Sequence, residues 1–405
     1  MSAAPDSEAR PGALEGLRVL DCGVLFAGPI IATMLADFGA DVIKVEHPKG
    51  DPLRTLGWTK DGISLWWSHV NRNKRYVTLN FSDPRGAELL KEMVRDADVL
   101  IESFRVGRME RWGLGYEQLA EINPRLVMVR VTGFGQAGPY SQRPGFGTVA
   151  EAMSGYAFTN GFPDKPPSLP SFALGDGICA LYGTVASLAA LQHRDRISGR
   201  GQMIDLSLVE PLFAFLGPQA LVYDQLGAIQ ERLGNQTDWT SPRNAYLTKD
   251  KRWVAISASS QRIAERLIAL VGREDMIAES WFADHAGRAA HFEEIDREIG
   301  AWIGERTQEE VLAAFEEAEA AVGPVYSIAD IFEDPQFAAR GMLTEVEHPQ
   351  LGPVRAPQVV PFLSDTPGSI RNFGGAIGEH NGAIYLDQLG HDEEEMRQWK
   401  QDGTI

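Results

Sequence analysis

The sequence predicts an α/β protein, with a large domain on a parallel sheet and a smaller α/β domain later in the chain. Three observations carry this reading. Leu17 to Glu46 runs strand, helix, strand, the order that joins parallel neighbours through a crossover helix. Ile178 to Leu191 is small or apolar throughout, with no charge, as in a buried helix, and Gln202 to Leu208 then alternates like a strand. After Glu210 the pattern changes, and one-sided helices follow a short strand. A length of 405 residues allows two domains or one elaborated domain.

Taken in order, residues 1–13, MSAAPDSEARPGA, lack a basic segment leading into an apolar one. They read as a disordered tail without a secretory signal. Leu17 to Asp21 is the first strand. Pro29 suits the first turn of a helix that Gly39 ends, and Asp41 to Glu46 is the second strand. The turn between them has glycines only at Gly23 and Gly28, without the G-x-G-x-x-G spacing that seats a dinucleotide. NRNKR, Asn71 to Arg75, reads either as a solvated lead into the strand Tyr76 to Leu79 or as a phosphate or adenine contact. Ser82-Asp83-Pro84 opens a helix, and Val99 to Glu102 is a strand. Arg105, Arg108 and Arg111 lie three apart. A helix through them presents one basic side, or a surface paired with Glu102 and Glu110.

Leu126 to Thr132 is a further strand, and GFGQAGPYSQRPGFG is a loop of a length that is either functional or disordered. Pro211 to Leu226 reads as helix. Asp238 to about Val322 reads as the small domain, with the strand Trp253 to Ser257 and helices over Gln261–Val271, Ala290–Gly304 and Thr307–Ala320. Thr307 with Glu310 forms a capping box. A Pro-punctuated extended segment returns the chain, and an acidic helix, Asp392 to Trp399, ends it. The expected division is 14–210 for the first part of the large domain, 211–237 for a linker and 238–322 for the small domain. Residues 323–405 then form the return linker and the rest of the large domain.

Composition narrows the function. A net charge of −18 argues against a nucleic-acid protein, and an anionic ligand must find a local cluster of cations. No apolar run approaches the ~20 residues of a membrane span. Cys22 and Cys179 alone fit a reducing cytoplasm and no disulfide framework. The 8 histidines are scattered without H-x-H or H-E-x-x-H, so no metal site is expected. G-x-S-x-G and G-x-x-x-x-G-K-[ST] are both absent. The remaining candidate nucleophile is a carboxylate, which suffices against an activated acyl group. Asp176 stands between Gly175 and Gly177 where the apolar helix begins. It reads as an N-cap, or as a carboxylate that another molecule can approach closely.

These motifs together resemble the class III CoA-transferases, the CaiB/BaiF family of formyl-CoA transferase and carnitine CoA-transferase. The matching stretches include AGP and LADFGADVIKVE (Ala27 to Glu46), NRNKR, ADVLIESF (Ala97 to Phe104) and GDG before the apolar helix. They continue with GRGQMIDLSL (Gly199 to Leu208), GPVYS, DPQ and ARGM (Gly323 to Met342), and GEHN (Gly378 to Asn381), spanning Leu14 to Ile405. The resemblance implies a Rossmann-like large domain with a parallel sheet built from both chain ends, a small domain between, and a cytoplasmic homodimer of interlocked subunits. It makes Asp176 the nucleophile that carries CoA from an acyl-CoA donor, such as succinyl-CoA or acetyl-CoA, to a carboxylic acid through an aspartyl-CoA thioester. CoA is then a substrate, and no metal or nucleotide cofactor is needed. Contacts to CoA carry over to Ala27, His47, Asn73, Lys74, Phe104 and Arg111, with Arg105 beside them.

Three departures from the family pattern bear on the acceptor. Phe26 replaces the glutamine before A-G-P of formyl-CoA transferase, Gly147 replaces the usual acidic residue, and the Gly-rich shielding loop has no counterpart. They point away from oxalate toward a bulkier acid, such as a dicarboxylate, with Arg243 as a candidate partner. Two alternatives stand beside this reading. An α-methylacyl-CoA racemase would need a histidine where Phe146 stands, and a ring cannot move a proton. A CoA-binding protein without catalysis has no use for an aspartate between two glycines.

Overall fold

The computed structural model describes residues 11–405, so residues 1–10 of the expected tail lie outside it. Its contacts divide the chain into two units. Unit 1 comprises the chain up to Tyr156, Pro170–Gly217 and Arg340–Ile405. Unit 2 comprises Ala157–Leu169 and Pro218–Ala339, so 157–169 and 323–339 pack with the second unit.

Unit 1 is built on β1 (Arg18–Cys22), α1 (Ala27–Asp37), β2 (Asp41–Glu46), β3 (Lys74–Thr78), α2 (Pro84–Val94) and β4 (Val99–Glu102). After the short α3 (Arg108–Arg111) come β5 (Val127–Thr132), α4 (Gly147–Met153), the long α5 (Leu174–His193), β6 (Met203–Ser207) and α6 (Val209–Phe215). The six strands form one parallel sheet in the order β3-β2-β1-β4-β5-β6. That is the doubly wound, Rossmann-like order. The strand order reverses between β1 and β4, and ligands of such sheets bind outside the carboxyl ends of the strands there.

The resemblance implied a sheet drawn from both chain ends. All six strands instead lie between Arg18 and Ser207, and the C-terminal segment joins unit 1 by packing. Alternate residues of each strand serve two cores, because a parallel sheet is covered on both faces. Val19, Val99 and Val129 pack toward α1 and α5. Leu20, Val77 and Leu100 pack toward α2, with Tyr385 and Trp399 from the C-terminal segment. A Cβ on Gly183 would collide with Ile31, so this glycine sets the close crossing of α1 and α5.

Below the β1–α1 turn lies a fully buried ion cluster. Asp21 pairs with Lys74 at 2.8 Å and Lys44 at 3.7 Å, and Lys44 also pairs with Asp51 at 3.3 Å. The same groups hold the backbone. Asp21 accepts the Gly23 N–H at 3.0 Å, Lys44 donates to the Gly23 carbonyl, and Lys74 donates to the Pro29 carbonyl at 2.8 Å. Buried charges persist only when paired and hydrogen-bonded, and here the pairing fixes the turn that delivers Ala27.

Unit 2 contains α7 (Gln219–Leu226) and an antiparallel sheet of β7 (Arg243–Leu247), β8 (Trp253–Ser257) and β9 (Val322–Pro324). Three helices accompany it, α8 (Gln261–Leu270), α9 (Phe292–Gly304) and α10 (Gln308–Glu317). Its own core holds Val254, Ile256, Leu267, Ile299 and Phe315. The capping box of Thr307 and Glu310 starts α10.

Candidate active site

Asp176 is not the cap of α5. The helix begins at Leu174 with Ala173 as its uncharged N-cap residue, which puts Asp176 inside the first turn. Its carboxylate is met instead by the Ala27 N–H, at the start of α1, and by its own N–H. Two helix N-termini thus converge on one carboxylate, an arrangement that favours negative charge and offers N–H donors to a developing oxyanion. Burial acts against ionisation and pushes the Asp176 carboxyl up to about 6. The Ala27 N–H opposes that rise, and the neighbouring Glu151 adds to it.

Two neighbours fix this carboxylate. A Cβ on Gly147 would fall inside contact distance of Asp176 Oδ2, so only glycine leaves the carboxylate where it is. Glu151, one turn further along α4 and buried, accepts the Gly175 N–H at 3.1 Å and pins the first turn of α5.

Asp176 opens into a cavity of about 600 Å³ at the carboxyl ends of β1, β4 and β5. Phe26, Ala27, Phe104, Arg105, Phe146 and Gly147, all singled out from the sequence, line it. A second cavity, about 350 Å³, adjoins it through Val24 and Phe104 and is lined by His47 and Arg108. The position of Phe104 follows from a buried pair. Glu102 at the end of β4 accepts the Phe104 N–H at 2.6 Å and the Arg130 guanidinium at 2.7 Å. Burial pushes the Glu102 carboxyl up, and Arg130 pulls against it.

Other expected contacts are not brought together with these. Lys74 is buried, donating to Asp21, Pro29, Asn71 and Val70, so its ammonium is committed to the fold. Asn73 is buried too, bonding Asp37 and Ser369 through its amide and the Arg371 N–H through its oxygen. The Asn73 and Lys74 side chains are therefore not solvated, and the two residues line a third cavity and neither of the two beside Asp176. Arg111 lies on α3 outside both cavities, and Arg108 is the α3 arginine that reaches the second one. Gly107, with φ 82°, breaks the chain before α3, so Arg105 never joins a helix with the other two. Glu102 and Glu110 form their ion pairs with Arg130, from β5, instead of with these arginines. Arg243 begins β7 in unit 2, where it donates to the Asn235 carbonyl at 2.7 Å.

The sequence reading missed Glu151, Arg143 and Trp66 at the cavity. Glu151 left a signal, a lone acid in the otherwise uncharged stretch TVAEAMSG. Trp66 left none, since it reaches the site by packing edge-on against Phe26, with ring centroids 5.1 Å apart.

Comparison with known proteins covers nearly the whole chain. A family model described as CoA-transferase family III matches residues 14–381. The chain is 39% identical over 392 residues to the succinyl-CoA–D-citramalate CoA-transferase of Chloroflexus aurantiacus, covering 96% of this chain and 97% of that one. It is 41% identical over 388 residues to the beta subunit of a succinyl-CoA–L-malate CoA-transferase from the same organism, covering 95% and 96%. Among solved structures, a CaiB/BaiF family protein from Brucella suis superposes with a TM-score of 0.81 at 32% identity, covering 93% of this chain and 100% of that one.

Proposed function

The chain belongs to CoA-transferase family III, and we propose that Asp176 is the residue through which it moves CoA from an acyl-CoA to a carboxylic acid. The observation that carries this is the half-buried carboxylate at two converging helix N-termini, facing a cavity at the reversal point of the sheet. Asp176 attacks the thioester carbonyl, the C–S bond breaks, and a mixed anhydride and a CoA thiolate result. The thiolate attacks the aspartyl carbonyl, releasing the donor acid as its carboxylate and leaving an aspartyl-CoA thioester. The acceptor carboxylate repeats both steps in reverse and restores Asp176. Each intermediate, anhydride or thioester, conserves the activation of the starting thioester, so the cycle asks for no metal or nucleotide cofactor. Raised toward neutrality, the Asp176 carboxylate is a better nucleophile than an ordinary one while still ionised at pH 7.

In this reading the thioester lies against Asp176, and the rest of CoA runs past Phe104 into the cavity lined by His47 and Arg108. The names of the relatives make succinyl-CoA the donor to try first and a dicarboxylate the acceptor. The assembly in this proposal is a cytoplasmic homodimer of interlocked subunits. Incubation with succinyl-CoA, followed by hydroxylamine or borohydride and peptide mass mapping, should mark Asp176, with the mark lost in Asp176→Ala. Deuterium uptake at an acyl α-carbon with Asp176 unmarked would replace transfer by α-proton exchange.

A further inference from the structure

We infer that Arg143 is the group that recognises the distal carboxylate of a dicarboxylic acid, making the Asp176 cavity selective for diacids over monoacids. This rests on the CoA-transfer reading and assigns the acid-binding end of that site. The argument begins with charge. The cavity already holds two carboxylates, Asp176 and Glu151, and a dicarboxylate brings two more. Such a substrate settles beside those carboxylates only if a cation meets the end that does not react.

The lining offers Arg105 and Arg143. Arg105 follows Phe104, the residue shared with the second cavity, and so stands on the side where the phosphates of CoA would pass. Arg143 lines the cavity from the loop after β5, four residues before Gly147, where an added Cβ would meet the Asp176 carboxylate.

The loop that carries Arg143 is held at both ends. A Cβ on Gly133 would lie 2.7 Å from the Gly145 Cα, so the two limbs touch backbone to backbone. The Gln136 N–H bonds the Asp205 carboxylate at 2.9 Å, and the Arg143 N–H closes a turn onto the Tyr140 carbonyl at 2.8 Å. The guanidinium lies 3.8 Å above the Tyr140 ring, which packs edge-on against Phe134 at 5.8 Å. Stacking occupies the face of the guanidinium and leaves its N–H edges free, the edges that grip a carboxylate with two parallel hydrogen bonds. Among the described residues no carboxylate pairs with Arg143, although other loop arginines, such as Arg125, are ion-paired.

The test is steady-state kinetics on the full-length enzyme. Succinate, malate and glutarate are compared with propionate and butyrate as acceptors for Arg143→Gln and Arg143→Lys. Arg143→Gln should raise KM for the diacids about 10- to 100-fold, the range for losing a charge-assisted hydrogen-bonded pair. With acetyl-CoA as donor, which has no distal carboxylate, it should leave kcat, KM for the donor and any transfer to monoacids within about twofold of wild type. Arg143→Lys should recover part of the diacid affinity. Unchanged KM for the diacids, or an equal loss for diacids and monoacids, overturns the inference and leaves CoA transfer standing. A wild type that transfers CoA to no acid removes the CoA-transfer reading, and this inference with it.

Discussion

Asp176 carries opposing demands, and its protonation makes them measurable. Its carboxyl titrates near 6 in the folded protein, against an ordinary value of 3.8. Formation of the acyl anhydride needs the ionised form, so kcat/KM for the donor should climb with pH and level off above about 6. The effect on stability has the opposite direction. Between about 4 and 6 the folded protein holds a proton that the unfolded chain has released, so stability falls as pH rises through that window. Above it the full penalty applies, on the order of 1–3 kcal/mol for a shift of this size. Asp176→Asn should therefore abolish transfer and raise the melting temperature at pH 8, with the gain shrinking as pH falls below 6. A gain that stays constant from pH 8 to pH 4 would show that burial of the charge is not its source. Glycine at 147 belongs to the same accommodation, since it makes room for a carboxylate that the fold otherwise disfavours.

At the scale of elements, the site depends on strands holding the loops that follow them. Arg130 on β5 reaches across to Glu102 on β4, and Glu102 in turn fixes the Phe104 N–H between the two cavities. Arg130→Met leaves a fully buried carboxylate unpaired, which should cost about 3–5 kcal/mol of stability. Adding Glu102→Gln should return part of that loss, and chemical denaturation of the wild type and the two variants measures it. If the double variant is no better than the single one, the charge pair is not what Arg130 contributes. This layer also divides what was legible in the sequence from what was not. The βαβ opening, the strands and the uncharged helix were legible, because their signals are local periodicities that a parallel sheet enforces. The Asp176 region was legible as a helix start, but whether it caps depends on the backbone at Ala173 and the approach of Ala27, which no local pattern records. NRNKR misleads for the same reason. Its charges look solvated, yet Lys74 is buried by Asp21, 53 residues away in the chain, and no spacing rule shows that partner. The short α3 was masked by an arithmetic of threes that Gly107 interrupts with a left-handed turn.

At the scale of the whole molecule, the surface carries both a strong net charge and a row of exposed apolar side chains. Down one side of α5, Leu181, Tyr182, Val185 and Leu188 are 55%, 41%, 67% and 39% exposed. The opposite side of the same helix packs into the core through Cys179, Ala180, Ala190 and Leu191. By length and composition this helix also resembles a membrane span, but Asp176 in its first turn and the core along one side give it a place in unit 1. Contiguous apolar surface of this kind marks a place where another molecule sits. The homodimer proposed above supplies a second copy of the chain as that molecule. Two chains each carrying −18 repel, so their association has to come from apolar burial, and added salt should strengthen it by screening. Sedimentation should therefore give about twice the 44.5 kDa of one chain, with the dimer tightening from low to moderate ionic strength. Leu181→Glu combined with Val185→Glu should weaken it by placing two further negative charges on the apolar face. A wild-type protein that sediments as a monomer at micromolar concentration at every ionic strength would leave this face to a different partner.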